Sequence, residues 1–325
     1  MPLVDSHQRT INYLRLSVTD RCNLRCTYCM PAEGVAKCGH ADVLRYEELH
    51  LLAETAVSLG IEKIRVTGGE PLVRKGIVPF LKRLSQLPGL QELVLTSNGI
   101  LLSEMAADLK EAGVTRLNIS LDSLRPEVFR QVTRGGDLEK VLQGIATAER
   151  LGLPVKLNMV VMAGVNDLEI EEFAALSLER PLAVRFIEYM PAVTDNGWKD
   201  RVVPGREILR RLSKHYSFDP VGRQARSGPS RDFRIHGAAG TIGVITPVFE
   251  HFCQDCNRIR ISSTGQVRSC LFATEALDLR PYLQAGNQLA LRKVLQDLVA
   301  CKPLTHAGLP AADSQTSLGM SSIGG

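Results

Sequence analysis

The chain has 325 residues, 44% apolar and 23% charged, with a net charge of +4 at pH 7; that suits one large α/β unit with an extension, or two domains, with enough apolar residues to bury a core. So small a charge does not argue for duplex nucleic acid, and no apolar run approaches the roughly 18 residues of a membrane span. The opening "MPLVDSHQRT" lacks the basic-then-apolar order of a secretory signal, so a cytoplasmic location is expected, with neither membrane nor nucleic acid as partner.

In chain order, residues 13–189 alternate short β-branched runs with longer stretches of helical apolar periodicity. The runs are "YLRLSVT", "KIRVTGG", "ELVLTSN", "RLNISLD", "VKLNMVV" and "AVRFIEY". Helical stretches such as 46–60, 102–113 and 137–152 lie between them, and several close on glycine. Six strand–helix units predict a parallel sheet with helices outside. Most strands carry a polar residue near the C-terminal end: Thr19, Thr67, Glu70, Thr96, Asn98, Ser120, Asp122 and Glu188. Ligands sit at that rim in a barrel and in an open doubly wound sheet alike. Polar groups on so many strands favour a curved, partial TIM-like (β/α)6 barrel around one site. Lys156 and Asn158, inside the fifth strand, are candidates to face that interior. After Met190 the character changes, so we divide the chain into a barrel over 1–200 and a C-terminal region over 201–325. The latter holds a short helix over 204–215, an arginine-rich stretch over 221–235, a strand in "TIGVITP", a helix over 287–300 and a small, polar tail.

Eight cysteines occur at positions 22, 26, 29, 38, 253, 256, 270 and 301. Close spacing in a long cytosolic chain favours metal over disulfides. Cys22, Cys26 and Cys29 form a CxxxCxxC loop directly after the first strand. A structural zinc site closes with four ligands, and Cys38 or His40 would have to supply the fourth. The alternative is a [4Fe–4S] cube whose three thiolates leave one iron open to a small molecule. The second group, Cys253, Cys256 and Cys270, again has three thiols. Zinc completed by Cys301 or His251 stands against a second open cube. Arg258 and Arg260 lie beside these thiols and leave one face of an alternating strand. Their guanidinium forks suit phosphate oxygens.

CxxxCxxC with an aromatic before its last cysteine resembles the signature of radical S-adenosylmethionine (SAM) enzymes, and "GGEP" at 68–71 resembles their SAM-amine segment. The two-cluster arrangement, with "YLRLSVTDRCNLRCTYCMP", "KIRVTGGEPLVR", "LNISLDSL", "VKLNMVVMAGVND", "RFIEYMP", "FCQDCNRIR" and a terminal "IGG", resembles one family among them, the GTP 3′,8-cyclases of molybdenum cofactor biosynthesis. The resemblance implies two [4Fe–4S] clusters, held by Cys22, Cys26 and Cys29 and by Cys253, Cys256 and Cys270. It implies SAM contacts at Tyr28, Gly69, Ser120 and Met190, and GTP contacts at Arg15, Arg65, Thr96, Lys156, Arg258, Ile259 and Arg260. It implies a 5′-deoxyadenosyl radical that takes the ribose 3′ hydrogen of GTP, after which C3′ adds to guanine C8. An external one-electron donor and a downstream cyclic pyranopterin monophosphate synthase follow as partners, and a homodimer is compatible with it. The tail Gly324-Gly325 is expected to enter the active site. No role is read for Cys38 or Cys301.

Overall fold

The computed structural model describes residues 2–34, 39, 41–190, 197–273, 275–284 and 286–305. Cys38, His40 and the Gly324-Gly325 tail lie outside the described residues. Twelve strands form one sheet: β1 Tyr13–Ser17, β2 Lys63–Thr67, β3 Glu92–Ser97, β4 Arg116–Ser120, β5 Val155–Val161, β6 Ala183–Glu188, β7 Phe218–Pro220, β8 Arg231–Ile235, β9 Thr241–Ile245, β10 Arg258–Ile261, β11 Gln266–Arg268 and β12 Leu277–Asp278. The helices are α1 Tyr46–Ser58, α2 Ile77–Ser85, α3 Leu102–Glu111, α4 Pro126–Thr133, α5 Leu138–Arg150, α6 Ile170–Glu179, α7 Gly205–Leu212, α8 Arg280–Gln284 and α9 Gln288–Ala300. The six runs of the first half are all strands, and the expected helices are all present. Local chemistry explains the boundaries. Gly60, just past α1, takes the left-handed φ of +98° that ends a helix, and the Asp137 carboxylate accepts the Glu139 N–H to open α5.

The sheet runs β12-β11-β10-β1-β2-β3-β4-β5-β6-β9-β8-β7 and does not close on itself among the described residues. Six parallel strands were expected from the first half. The C-terminal region lengthens the series at both edges, because β10 pairs parallel with β1 and β9 pairs parallel with β6. An antiparallel hairpin finishes each edge.

The strands are amphipathic, unlike the uniformly apolar strands usual in parallel sheets. Side chains alternate between faces. Leu14, Leu16, Ile64, Val66, Leu93, Leu95, Leu117, Ile119, Leu157, Val184 and Phe186 are buried in the core with the helices. Each such side chain adds about 1.5–3 kcal/mol. Most of the intervening residues are charged or polar and face the concave side, where the strands wrap around a cavity.

Candidate active site

The cavity has a volume of about 460 Å³. Nine arginines and lysines line it against four carboxylates. Every sequence-expected contact residue is on its wall except Ile259: Arg15, Tyr28, Arg65, Gly69, Thr96, Ser120, Lys156, Met190, Arg258 and Arg260. Ile259 lies between two cavity arginines on β10, so its side chain points the other way, into the core opposite Leu14.

The first triad sits at the C-terminal end of β1. Its loop is a tight turn in which the N–H groups of Cys29 and Met30 donate to the Cys26 carbonyl at 3.0 and 3.2 Å. The loop docks on the end of α4 through Arg25 N–H to Thr133 O and Thr27 N–H to Val132 O. The 68–71 turn braces it from below. Gly69 N–H donates to Thr19 O at 2.7 Å and Glu70 N–H to Arg21 O at 2.8 Å. A Cβ on Gly69 would stand 2.3 Å from Arg21 O, so glycine is required for the loop to lie this close.

Two donors already address the Cys22 sulfur: Leu24 N–H at 3.4 Å and Asn98 Nδ2 at 3.9 Å. Burial, then the Asp122 carboxylate and the neighbouring thiols, push the Cys26 thiol well above its ordinary range. Burial and Glu70 likewise raise Cys22, against the pull of the Leu24 N–H.

The carboxylates at the strand C-terminal ends, Glu70, Asp122 and Glu188, hold backbone and hydroxyl donors. Glu70 accepts from Leu72 N–H, Ser97 Oγ and Asn98 N–H, and burial raises it to about 7. Asp122 accepts from Tyr28 Oη at 2.8 Å and Val160 N–H at 2.9 Å, and burial raises it to about 6. Glu188 accepts from Gly205, Val248 and Phe249 N–H. All three fix loops at the rim. Arg65 donates to Thr96 Oγ1, joining two expected contact residues.

The second triad lines a smaller cavity of about 50 Å³ whose wall shares Arg258 and Arg260 with the main one. Cys253 and Cys256 precede β10, which runs parallel to β1, and Cys270 follows the antiparallel β11. This triad therefore stands at the strand N-terminal end, opposite the first. Burial alone would raise the Cys256 thiol, but Arg258 and Lys302 outweigh it and bring it down to about 6. Lys302 is 2% exposed and ties the segment together by donating to the carbonyls of Arg258 and Ser269.

Mutual repulsion marks the arginine cluster as built for an anion. In register, Arg260, Arg15 and Arg65 stand side by side on β10, β1 and β2. Burial and its arginine neighbours lower Arg15 well below its ordinary value, and burial with Arg258 lowers Arg260 to about 9. Arg260 Nη1 is buried without a hydrogen-bond partner among the described residues. Burial, Arg185 and Arg116 lower Lys156 to about 7. Sequence reasoning missed Tyr13, Lys63, Arg116 and Arg185 on the same wall. Stepping back two residues from Arg15 and Arg65, or four from Ser120, would have found Tyr13, Lys63 and Arg116; Arg185 is the register partner of Asn158, which only the strand pairing shows.

Each triad offers three thiols, the donor set of a [4Fe–4S] cluster with one iron open; Cys38 and His40, the possible fourth zinc ligands at the first, lie outside the described residues. A cube spreads its thiolates over separate irons. Cys301 is exposed at the end of α9, and His251 lies on the wall of the smaller cavity.

The Radical SAM superfamily model matches residues 16–177, and the Molybdenum Cofactor Synthesis C model matches 182–308. A relative from Geobacter sulfurreducens, named GTP 3′,8-cyclase, is 59% identical over 100% of both chains. Relatives of the same name come from Moorella thermoacetica, 48% identical over 93% of this chain and 94% of its own, and Alkaliphilus oremlandii, 45% identical over 99% of each. The crystal structure of Streptococcus suis SuiB bound to S-adenosylmethionine superposes with a TM-score of 0.62 over 92% of this chain and 68% of that chain. At 12% identity this likeness shows the fold alone. With matches of this extent joined to one cysteine triad on the wall of a cationic cavity and a second in the smaller cavity behind Arg258 and Arg260, the chain belongs to the radical SAM superfamily and, within it, to the GTP 3′,8-cyclase family.

Proposed function

We propose that the chain converts GTP to 3′,8-cyclo-7,8-dihydro-GTP, the first step of molybdenum cofactor biosynthesis. The observation that carries this reading is the cationic cavity with one thiol triad on its wall and the other in the adjoining smaller cavity, the two cavities sharing Arg258 and Arg260. Cys22, Cys26 and Cys29 hold one [4Fe–4S] cluster, and Cys253, Cys256 and Cys270 hold the other. SAM lies against Tyr28, Gly69, Ser120 and Met190, near the first. GTP lies toward the second, its phosphates on Arg15, Arg65, Lys156, Arg258 and Arg260, with Thr96 fixing Arg65. Ile259 contributes only backbone, because its side chain is in the core. Bound there, the first cluster with SAM supplies the one-electron chemistry that removes the ribose 3′ hydrogen and lets C3′ join C8.

The polypeptide orients both ligands and excludes water. Tyr28, held by Asp122, and the braced 68–71 turn keep the first loop in place. Residues 1–200 supply the barrel and SAM site, and 201–325 supply the second cluster and the sheet's two outer hairpins. A one-electron donor and the downstream synthase act with it in the cytoplasm. No helix among the described residues is long and apolar enough to cross a membrane.

Anaerobic reconstitution tests the reading. About eight irons and eight sulfides per chain are expected, with a cyclised product from GTP. Two zincs without sulfide, or products formed only from RNA or peptide, would refute it.

A further inference from the structure

The N-terminal floor of the cavity has two parts. Below β10 and β1 it is the second triad. Below β2 to β4 it is the loop 221–230, between β7 and β8, whose Val221, Gln224 and Arg226 line the cavity. A parallel barrel is ordinarily filled there by packed apolar side chains. This floor is polar and held by a few directed bonds. Lys63 Nζ donates to the Arg226 carbonyl at 2.9 Å, and Asn12 Nδ2 donates to the Ala225 carbonyl at 3.3 Å. Arg226 Nε donates to Glu92 Oε1 at 3.0 Å.

Glu92 is a hub of positive charge. Its carboxylate also pairs with Lys63 at 3.3 Å and Arg116 at 3.2 Å, so three cations surround one anion. Two of them stand on strands. Arg226 comes from the loop, and its side chain is 40% exposed. A nucleotide whose base is drawn to the second triad and whose ribose faces the first has the β2–β6 wall left for its phosphates. On that wall Lys63, Arg116 and Arg226 still outnumber the two carboxylates that they share, Glu92 and Glu62.

Resting on the proposed function, we infer that Arg226 is a specificity-determining residue: from the loop it contacts the terminal phosphate and so sets the preference for guanosine triphosphate over monophosphate. Its guanidinium donates to Glu92 through Nε at 3.0 Å and pairs with Glu62 through Nη1 at 3.7 Å; the Glu62 pair is long and half-exposed, the kind that contributes little, so the outer nitrogens can turn to phosphate oxygens.

The test is equilibrium binding of GTP, GDP and GMP to the anaerobic holoenzyme, for the wild type, Arg226→Ala and Arg226→Lys. Arg226→Ala should weaken GTP about tenfold, leave GMP unchanged, and so compress the GTP-to-GMP ratio; Arg226→Lys should recover part of it. Unchanged GTP binding in Arg226→Ala, or equal weakening of GTP and GMP, would overturn the inference alone. Wild type binding GTP and GMP equally would do the same. A wild-type holoenzyme that binds no guanine nucleotide would overturn the proposed function, and the inference with it.

Discussion

Three cysteines line the main cavity and three the smaller one beside it, but the first triad has buried carboxylates for neighbours and the second has buried cations. Burial, with Asp122 at Cys26 and Glu70 at Cys22, pushes these two thiols up, whereas Arg258 and Lys302 pull Cys256 down against its burial. The same donor set therefore faces opposite fields. A cluster among carboxylates resists an added electron, and one among cations accepts it more readily, because local charge and hydrogen bonding tune the potential. The supports differ as well. The first loop rests on backbone packed too closely for any Cβ, while the second segment is tied by side-chain cations: Lys302 donates to the Arg258 and Ser269 carbonyls, and Arg9 to the Cys253 carbonyl at 2.6 Å.

The largest expected effect separates the triads outright. Cys26→Ser should abolish 5′-deoxyadenosine formation and leave about four irons per chain at the second site; a variant that still cleaves SAM would break the comparison at its root. Gly69→Ala should cost about 1–3 kcal/mol through overpacking against Arg21 and empty the first site selectively. Iron analysis with thermal denaturation checks this, and equal loss from both sites would show that the turn does not serve the first loop alone. Arg258→Ala should weaken GTP binding about tenfold or more while uncoupled SAM cleavage continues, as read by nucleotide binding beside 5′-deoxyadenosine yield. The smallest effect sharpens the electrostatic contrast. Lys302→Met should lower the potential of the second cluster and leave the first unmoved in a spectroscopically monitored redox titration; a common shift would mean that the two fields are not independent.

Much of this was legible before the fold was known. Strand periodicity located β1 to β6, and the thiol spacing located both triads, because each rests on neighbours in sequence. The same alternation that put Arg15 and Arg65 inward would have delivered Tyr13 and Lys63, had it been carried along the whole strand. It also explains Ile259: between two inward arginines, its side chain can only face the core. Glu70, Asp122 and Glu188 were plausible partners for the arginines by charge. Their hydrogen bonds to loop N–H groups depend on chain reversals that no local pattern encodes. Arg226 and Lys302 were invisible for the same reason, since each acts on strands far away in sequence.

The sequence by itself determined which residues offer sulfur and positive charge, and which strands present them, since alternation and short-range spacing are properties of consecutive residues. Only the tertiary structure decided that β10 lies parallel beside β1 and β9 beside β6. That pairing sets the two triads at opposite strand ends, in adjoining cavities, and crowds Arg15, Arg65 and Arg260 into a single register. Strand order is fixed by which apolar faces bury best together across the whole chain, and no short stretch carries that information.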